Sequence, residues 1–261
     1  MTKKYEMTNH DKENLLKMYN NNITLDKMYE LTKIPKRQIA KYFKDNNLDL
    51  IRRYTVNNKY FNNIDSESKA YWLGYLYCDG YVGMGKYSNI VLSSIDENVI
   101  NELSNQLILS GNDRVISVRL PSGGRDNFSV NPLYTLSFSD KEIKKDLNRY
   151  GIFPNRKDSS FLNLSSVPFE FYKYILFGMI DADGSVDKNK KVVSLYATKL
   201  IHDEYIKFID MFKLEYRVKY NKIKGAYYIV FKKSDEYTDT FLKEYHDYSK
   251  IHRKKIAPSL S

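Results

Sequence analysis

The sequence predicts an α/β protein of the α+β kind: a pseudo-two-fold pair of αββαββα repeats with mainly antiparallel sheets, preceded by a small helical module. Three observations predict it. The segment YWLGYLYCDG (71–80) returns as ILFGMIDADG (175–184), so that Gly74 meets Gly178, Cys78 meets Ala182, Asp79 meets Asp183 and Gly80 meets Gly184. After each copy comes the same succession of alternating and helix-period segments. Before the first copy, residues 11 to 50 show helical patterns alone.

In that first part, DKENLLKMYNN reads as one helix, LDKMYELT as a second after the N-cap Thr24, and PKRQIAKYFKDNN as a third after a break at Lys33-Ile34. Two short helices joined by a tight turn fit a helix-turn-helix. The last of them turns Ile39 and Phe43 inward and Lys36, Arg37, Gln38 and Lys41 outward as candidate DNA contacts. Residues 1–50 form this module, and the aperiodic stretch 51–64 reads as a linker. The first repeat then spans 65–160 and the second 161–261.

Within each repeat the recurring helix is followed by strands (SNIVLSSID, KVVSLYATK), then an amphipathic helix (ENVINELSNQLIL, LIHDEYIKFIDMF). Further strands follow (RVISVRL, YRVKYNK), and each copy closes with a strand and a helix (LYTLSFSDKEIKKDLNRYGI, YYIVFKKSDEYTDTFLKEYH).

Composition limits the partners. The chain has 261 residues, 42% of them hydrophobic, enough for one large or two modest cores. Its formal charge of +10 and pI near 9.2 call for a polyanion, either nucleic acid or an anionic membrane surface. There is no apolar h-region at the start and no window approaching the roughly 18 apolar residues of a membrane span. The expectation is an intracellular protein with no secretion signal, cytoplasmic or phage- or organelle-encoded. A single cysteine, Cys78, permits no internal disulfide and cannot build a zinc site.

The recurring helices end in carboxylates, where a helix's partial negative charge would favour cations. Small residues four apart, Gly74 with Cys78 and Gly178 with Ala182, stack on one face of each helix and let the two backbones approach. The copies then pack together, bringing Asp79 and Asp183 side by side, with Gly80 and Gly184 expected as left-handed exits. Two close carboxylates at two negative helix ends repel unless a divalent cation joins them. Hard oxygen ligands favour Mg²⁺, with Mn²⁺ as an alternative, and water and substrate phosphate complete the shell.

The segment LFGMIDADG is very similar to the signature of the LAGLIDADG homing endonucleases, and WLGYLYCDG resembles a divergent copy of it. The resemblance covers about residues 65 to 261. It implies a site-specific endonuclease making a metal-dependent double-strand break in DNA, with Asp79 and Asp183 as the catalytic, metal-binding pair and Asp181 not acting directly. It also implies that a two-motif chain is a monomer cutting a long, mostly asymmetric site with short 3′ overhangs. Each repeat's sheet would form half of a saddle along the major groove. Arg119, Ser117, Lys190, Lys219, Lys222, Lys232 and Lys233 are candidate contacts on that saddle. Lys157 and Lys254, with Lys255 as a substitute for the latter, occupy places comparable to a family lysine that borders the active site. The same fold also serves maturases, which bind intron RNA, and non-catalytic DNA-binding regulators. Retention of both aspartates argues against the regulators, and the visible ends carry no intein splice-junction residues.

Overall fold

The computed structural model describes residues 7–21, 23, 25–48, 54–84, 89–121, 130–153, 162–187, 192–231 and 236–251. The chain divides into two compact units, Met1–Thr55 and Val56–Ser261.

The smaller unit holds three helices, α1 (Asn9–Asn20), α2 (Leu25–Thr32) and α3 (Lys36–Asp45). A capping box starts α1: the Thr8 hydroxyl accepts the Asp11 amide at 3.1 Å, while the Asp11 carboxylate accepts the Thr8 amide at 2.8 Å. Leu15, Met28, Ile34, Ile39 and Phe43 form its core. Lys33, at φ 58°, reverses the chain after α2, and Pro35 stands at the N-cap of α3. The two helices predicted for a helix-turn-helix are therefore both present. Thr24 lies outside the described residues.

The larger unit carries the repeat in full. The first copy runs α4 (Glu67–Asp79), β2 (Tyr81–Val82), β3 (Asn89–Ser94), α5 (Glu97–Leu107), β5 (Ile116–Arg119), β6 (Leu133–Ser139) and α6 (Lys141–Arg149). The second runs α7 (Tyr172–Asp183), β7 (Gly184–Asp187), β8 (Val192–Thr198), α8 (Lys199–Met211), β9 (Tyr216–Asn221), β10 (Ala226–Phe231) and α9 (Glu236–Tyr248). Both four-stranded sheets are antiparallel with matching orders, β2-β3-β6-β5 and β7-β8-β10-β9. The first copy also contains β4 (Ile108–Ser110), paired with β1 (Thr55–Val56), so the helix over ENVINELSNQL stops two residues before the sequence pattern predicts.

The expected linker is a correction. Val56, Tyr60, Phe61 and Ile64 are buried, and the Asn57 amide donates to the Leu107 carbonyl at 2.7 Å. Residues 56–64 belong to the body of the larger unit because their aromatic and β-branched side chains fill its edge. Asparagines around them masked that periodicity.

The core centres on α4 against α7, buried over Ala70–Tyr77 and Ile175–Asp181. A Cβ added at Gly74 would stand 2.0 Å from the Ile175 carbonyl oxygen, and one at Gly178 would stand 2.0 Å from that of Tyr71. Tyr71 and Ile175 are themselves matched positions of the repeat, so the crossing obeys the pseudo-two-fold axis. Only glycine admits backbones this close. The expectation of left-handed exits does not hold. Gly80 (φ −75°, ψ 143°) and Gly184 (φ −85°, ψ 162°) are extended. Glycine is required there for space: a Cβ would meet the Leu76 carbonyl oxygen at 2.5 Å or that of Ile180 at 2.1 Å.

Candidate active site

Asp79 is the last residue of α4 and Asp183 the last of α7. Each helix is amphipathic only weakly, because apolar residues surround it; the chain leaves the core at its aspartate and turns directly into the first strand of the sheet. Asp79 is exposed and Asp183 partly so.

A third helix ties these ends together. The Tyr205 hydroxyl of α8 donates to Asp183 Oδ2 at 2.6 Å and lies 3.0 Å from Cys78 Sγ, the neighbour of Asp79. Tyr205 is only 1% exposed. Burial above all, then the adjoining Cys78 and Asp183, holds its phenol well above the ordinary value, so it remains a hydrogen-bond donor. On the first copy's side, burial followed by the charge of Asp79 raises the phenol of Tyr75, one turn earlier on α4. The Tyr205 hydroxyl thus joins the end of α7 to the residue that precedes Asp79 on α4.

Asp181 occupies a different environment. It has 0% exposure, and its carboxylate accepts the hydroxyls of Tyr71 (2.5 Å), Tyr245 (2.8 Å) and Ser249 (2.7 Å) and the amide of Lys250 (2.8 Å). These donors come from α4 of the first copy and from the end of α9. Lys250 extends the link to α5, its ammonium pairing with Glu102 at 3.2 Å and its carbonyl accepting the Asn98 amide. Asp181 is a structural anchor tying α4 to α7 and the end of α9.

The sheets complete the setting. Strand register separates two faces in the second copy. Val193, Leu195, Ala197 and Ile229 point into the core, whereas Ser194, Tyr196, Tyr228, Arg217 and Lys219 share the opposite face. In the first copy that outer face holds Asn89, Ser93, Thr135, Ser137, Ser117 and Arg119. The Ser93 and Thr135 hydroxyls pair across it at 2.8 Å. One saddle face is hydroxyl-rich and the other carries more cationic and aromatic groups.

No protein-family model matches the chain, and no curated protein sequence does. Among solved structures it is similar to I-DmoI in complex with DNA and Ca, at 15% identity and a TM-score of 0.43, over 77% of this chain and 95% of that one. It is likewise similar to the I-LtrWI LAGLIDADG homing endonuclease bound to target DNA, at 11% identity and a TM-score of 0.43, over 74% and 84% of the two chains. A third is the N-terminal LAGLIDADG domain of DUF199/WhiA, at 12% identity and a TM-score of 0.38, over 71% and 86%. The chain resembles the LAGLIDADG homing endonucleases.

Against the LAGLIDADG signature, Gly74 and Gly178 stand at the helix crossing as the small-residue spacing predicts. Cys78 and Ala182 are half-buried, and Cys78 meets the Tyr205 hydroxyl. Arg119 and Lys219 are exposed on the outer faces, and Lys222 is exposed in the β9–β10 turn. In the small unit Arg37 and Lys41 are exposed and Gln38 half-buried, but Lys36 is paired with Asp26 at 2.8 Å and lies over the Tyr29 ring. Lys157, Lys190, Lys232, Lys233, Lys254 and Lys255 fall outside the described residues.

Sequence reasoning missed several groups. Arg217 shares the parity of Lys219 and was legible from it; Lys44 continues the Arg37–Lys41 stripe one turn further and is exposed. The tyrosine pair Tyr196–Tyr228, with ring centroids 5.5 Å apart, sits on the outer face. No sequence signal marked Tyr205, whose partner lies on another helix.

Proposed function

We propose that this protein is a site-specific, divalent-metal-dependent DNA endonuclease of the homing type, acting as a monomer on a long asymmetric duplex site. The observation that carries the reading is the glycine-mediated crossing of α4 and α7, each of which ends in an aspartate, with the Tyr205 hydroxyl bridging Asp183 to Cys78, the neighbour of Asp79. Asp79 and Asp183 are the residues that would hold Mg²⁺ or Mn²⁺. The donor set fits such an ion: both are hard carboxylate oxygens, and water and a substrate phosphate would complete its shell. When bound, the cation would acidify water for attack on phosphorus and offset charge on the phosphate.

The protein's own groups do the rest. Asp79 and Asp183 place negative oxygens at the two helix ends, one assigned to each strand. Arg119, Arg217, Lys219 and Lys222 hold backbone phosphates, while Ser93, Ser117, Thr135 and Asn89 offer donors and acceptors to base edges. Lys157 and Lys254 are assigned to charge stabilisation beside the scissile phosphates, and the α2–α3 pair adds contacts through Arg37 and Lys41. Hydrolysis across the minor groove would leave short 3′ overhangs.

The test begins by recovering the target from a randomised duplex library. Wild-type protein with Mg²⁺ should linearise a plasmid carrying that site. Asp79→Asn and Asp183→Asn should bind it in Ca²⁺ with near wild-type affinity yet lose double-strand cleavage by about a thousandfold or more. Double-strand cutting by Asp183→Asn at the wild-type rate would overturn the assignment.

A further inference from the structure

The two sheets share one register, so their outer faces match row by row. In the first copy, the residues directly opposite one another on β3, β6 and β5 are Ser93, Thr135 and Ser117. The corresponding row on β8, β10 and β9 is Tyr196, Tyr228 and Lys219. Ser93 lies two residues beyond Val91, which faces Tyr81 of β2, and Tyr196 lies two beyond Ser194, which faces Ser185 of β7, so the rows are equivalent under the repeat. Short hydroxyls on one face are thus replaced by two aromatic rings and an ammonium on the other. Tyr196 and Tyr228 are half-buried, with centroids 5.5 Å apart and ring planes at 76°. Lys219 in the same row and Arg217 in the next are exposed.

We infer that Tyr196 and Tyr228 are specificity-determining residues, their rings reading the 5-methyl groups of thymines in the major groove of the half-site that the second sheet contacts. The inference rests on the endonuclease reading. This sheet is continuous with the candidate active site, since Asp183 ends α7 and β7 begins at the next residue. Val193, Leu195, Ala197 and Ile229 commit its inner face to the core, which leaves the outer face for a duplex. A row of three strands spans roughly 10 Å, within the about 12 Å width of the major groove. Lys219 and Arg217 hold phosphates and so fix the face in register without reading sequence. The rings then offer apolar surface, and the thymine methyl is the apolar group that the major groove displays. Ser93, Thr135 and Ser117 bond to more than one base, so the matched row of the first copy discriminates less. Methyl reading is therefore concentrated in one half of the target. A cross-strand aromatic pair can also stabilise a sheet, but that role alone leaves base preference untouched.

The experiment uses the duplex recovered by selection and measures binding in Ca²⁺ by fluorescence anisotropy. Thymine should be enriched at one or more positions in one half of the site. Replacing each of those thymines by deoxyuridine removes the methyl and keeps every hydrogen-bonding group, and wild-type affinity should fall about fourfold for each methyl read. Tyr196→Ser combined with Tyr228→Thr gives the second sheet the short hydroxyls of the first at these two positions. That variant should bind the thymine and deoxyuridine duplexes alike. A second measurement needs only the wild-type protein: 5-iododeoxyuridine, whose iodine takes the place of the methyl, should crosslink under ultraviolet light to Tyr196 or Tyr228, as read by mass spectrometry. It decides the matter even where the doubly shortened variant fails to fold. No effect of any methyl on wild-type binding, an effect undiminished in the folded double variant, or crosslinks to other residues alone would overturn the inference. Failure of the wild-type protein to select any duplex would instead remove the endonuclease reading on which it depends.

Discussion

On α7, Asp181 and Asp183 are separated by about 200° of helical rotation. That rotation sends one carboxylate into the core, where hydroxyls and an amide saturate it, and leaves the other at the helix end. Their substitutions should therefore separate stability from activity. Asp181→Ala leaves Tyr71, Tyr245 and Ser249 without their acceptor and should cost about 3 kcal/mol or more. Asp183→Asn should change stability by less than about 1 kcal/mol. Urea denaturation of the two variants checks this, and comparable losses would mean the roles are misassigned. Tyr60 provides a pH test. Its hydroxyl donates to Gln106, and burial raises its phenol to about 12. The folded state thus favours the protonated form. That contribution is complete below the ordinary value near 10 and is lost as pH rises toward about 12. Denaturation midpoints should fall across that window, and Tyr60→Phe should make the fall shallower.

At the scale of elements, the α4–α7 crossing depends on two hydrogen-sized side chains. Gly74→Ala or Gly178→Ala would place a methyl about 2 Å from an opposing main-chain oxygen, which cannot rotate away as a side chain could. Separating the helices should cost about 3 kcal/mol and misplace the aspartates. We expect a lower thermal midpoint together with a cleavage loss that Mg²⁺ in excess does not restore. The glycines at the exits teach a related lesson. The Asp-Gly pairs were legible as helix ends, but not the reason for glycine, since close approach to the preceding turn and a left-handed backbone call for the same residue. Likewise the segment 56–64 was read as part of a linker because its asparagines hide four buried aromatic or β-branched side chains from any periodicity test.

For the whole molecule, cations on the outer sheet faces and on α3 predict an affinity that falls steeply with salt, by about −0.9 in the log–log slope for each phosphate neutralised. Replacing Arg217 or Lys219 by alanine should reduce the magnitude of that slope by about one, as measured by fluorescence anisotropy over a salt series. Deleting residues 1–55, the smaller compact unit, should weaken target binding by about tenfold or more through lost additional contacts while leaving the cleaved phosphodiester bonds unchanged. Mapping the ends of the products checks the second half of that expectation. A shifted cut would place the helical unit inside the catalytic frame.

The sequence by itself determined the repeat, the order of helices and strands in both copies apart from β4, the apposed glycines and the pair of terminal aspartates. These follow from local periodicity and from the recurrence of a ten-residue segment, both readable along one dimension. Only the tertiary structure decided which aspartate of α7 is buried, which strand residues share a face with Lys219, and that a phenol from α8 reaches Asp183 and Cys78. The physical reason is that each of these is a contact between side chains far apart in the chain. Tyr71 and Asp181 are 110 residues apart, and Cys78 and Tyr205 127. Hydrogen bonds of this kind depend on where the helices come to rest, and their residues carry no mark of it in their own neighbourhoods.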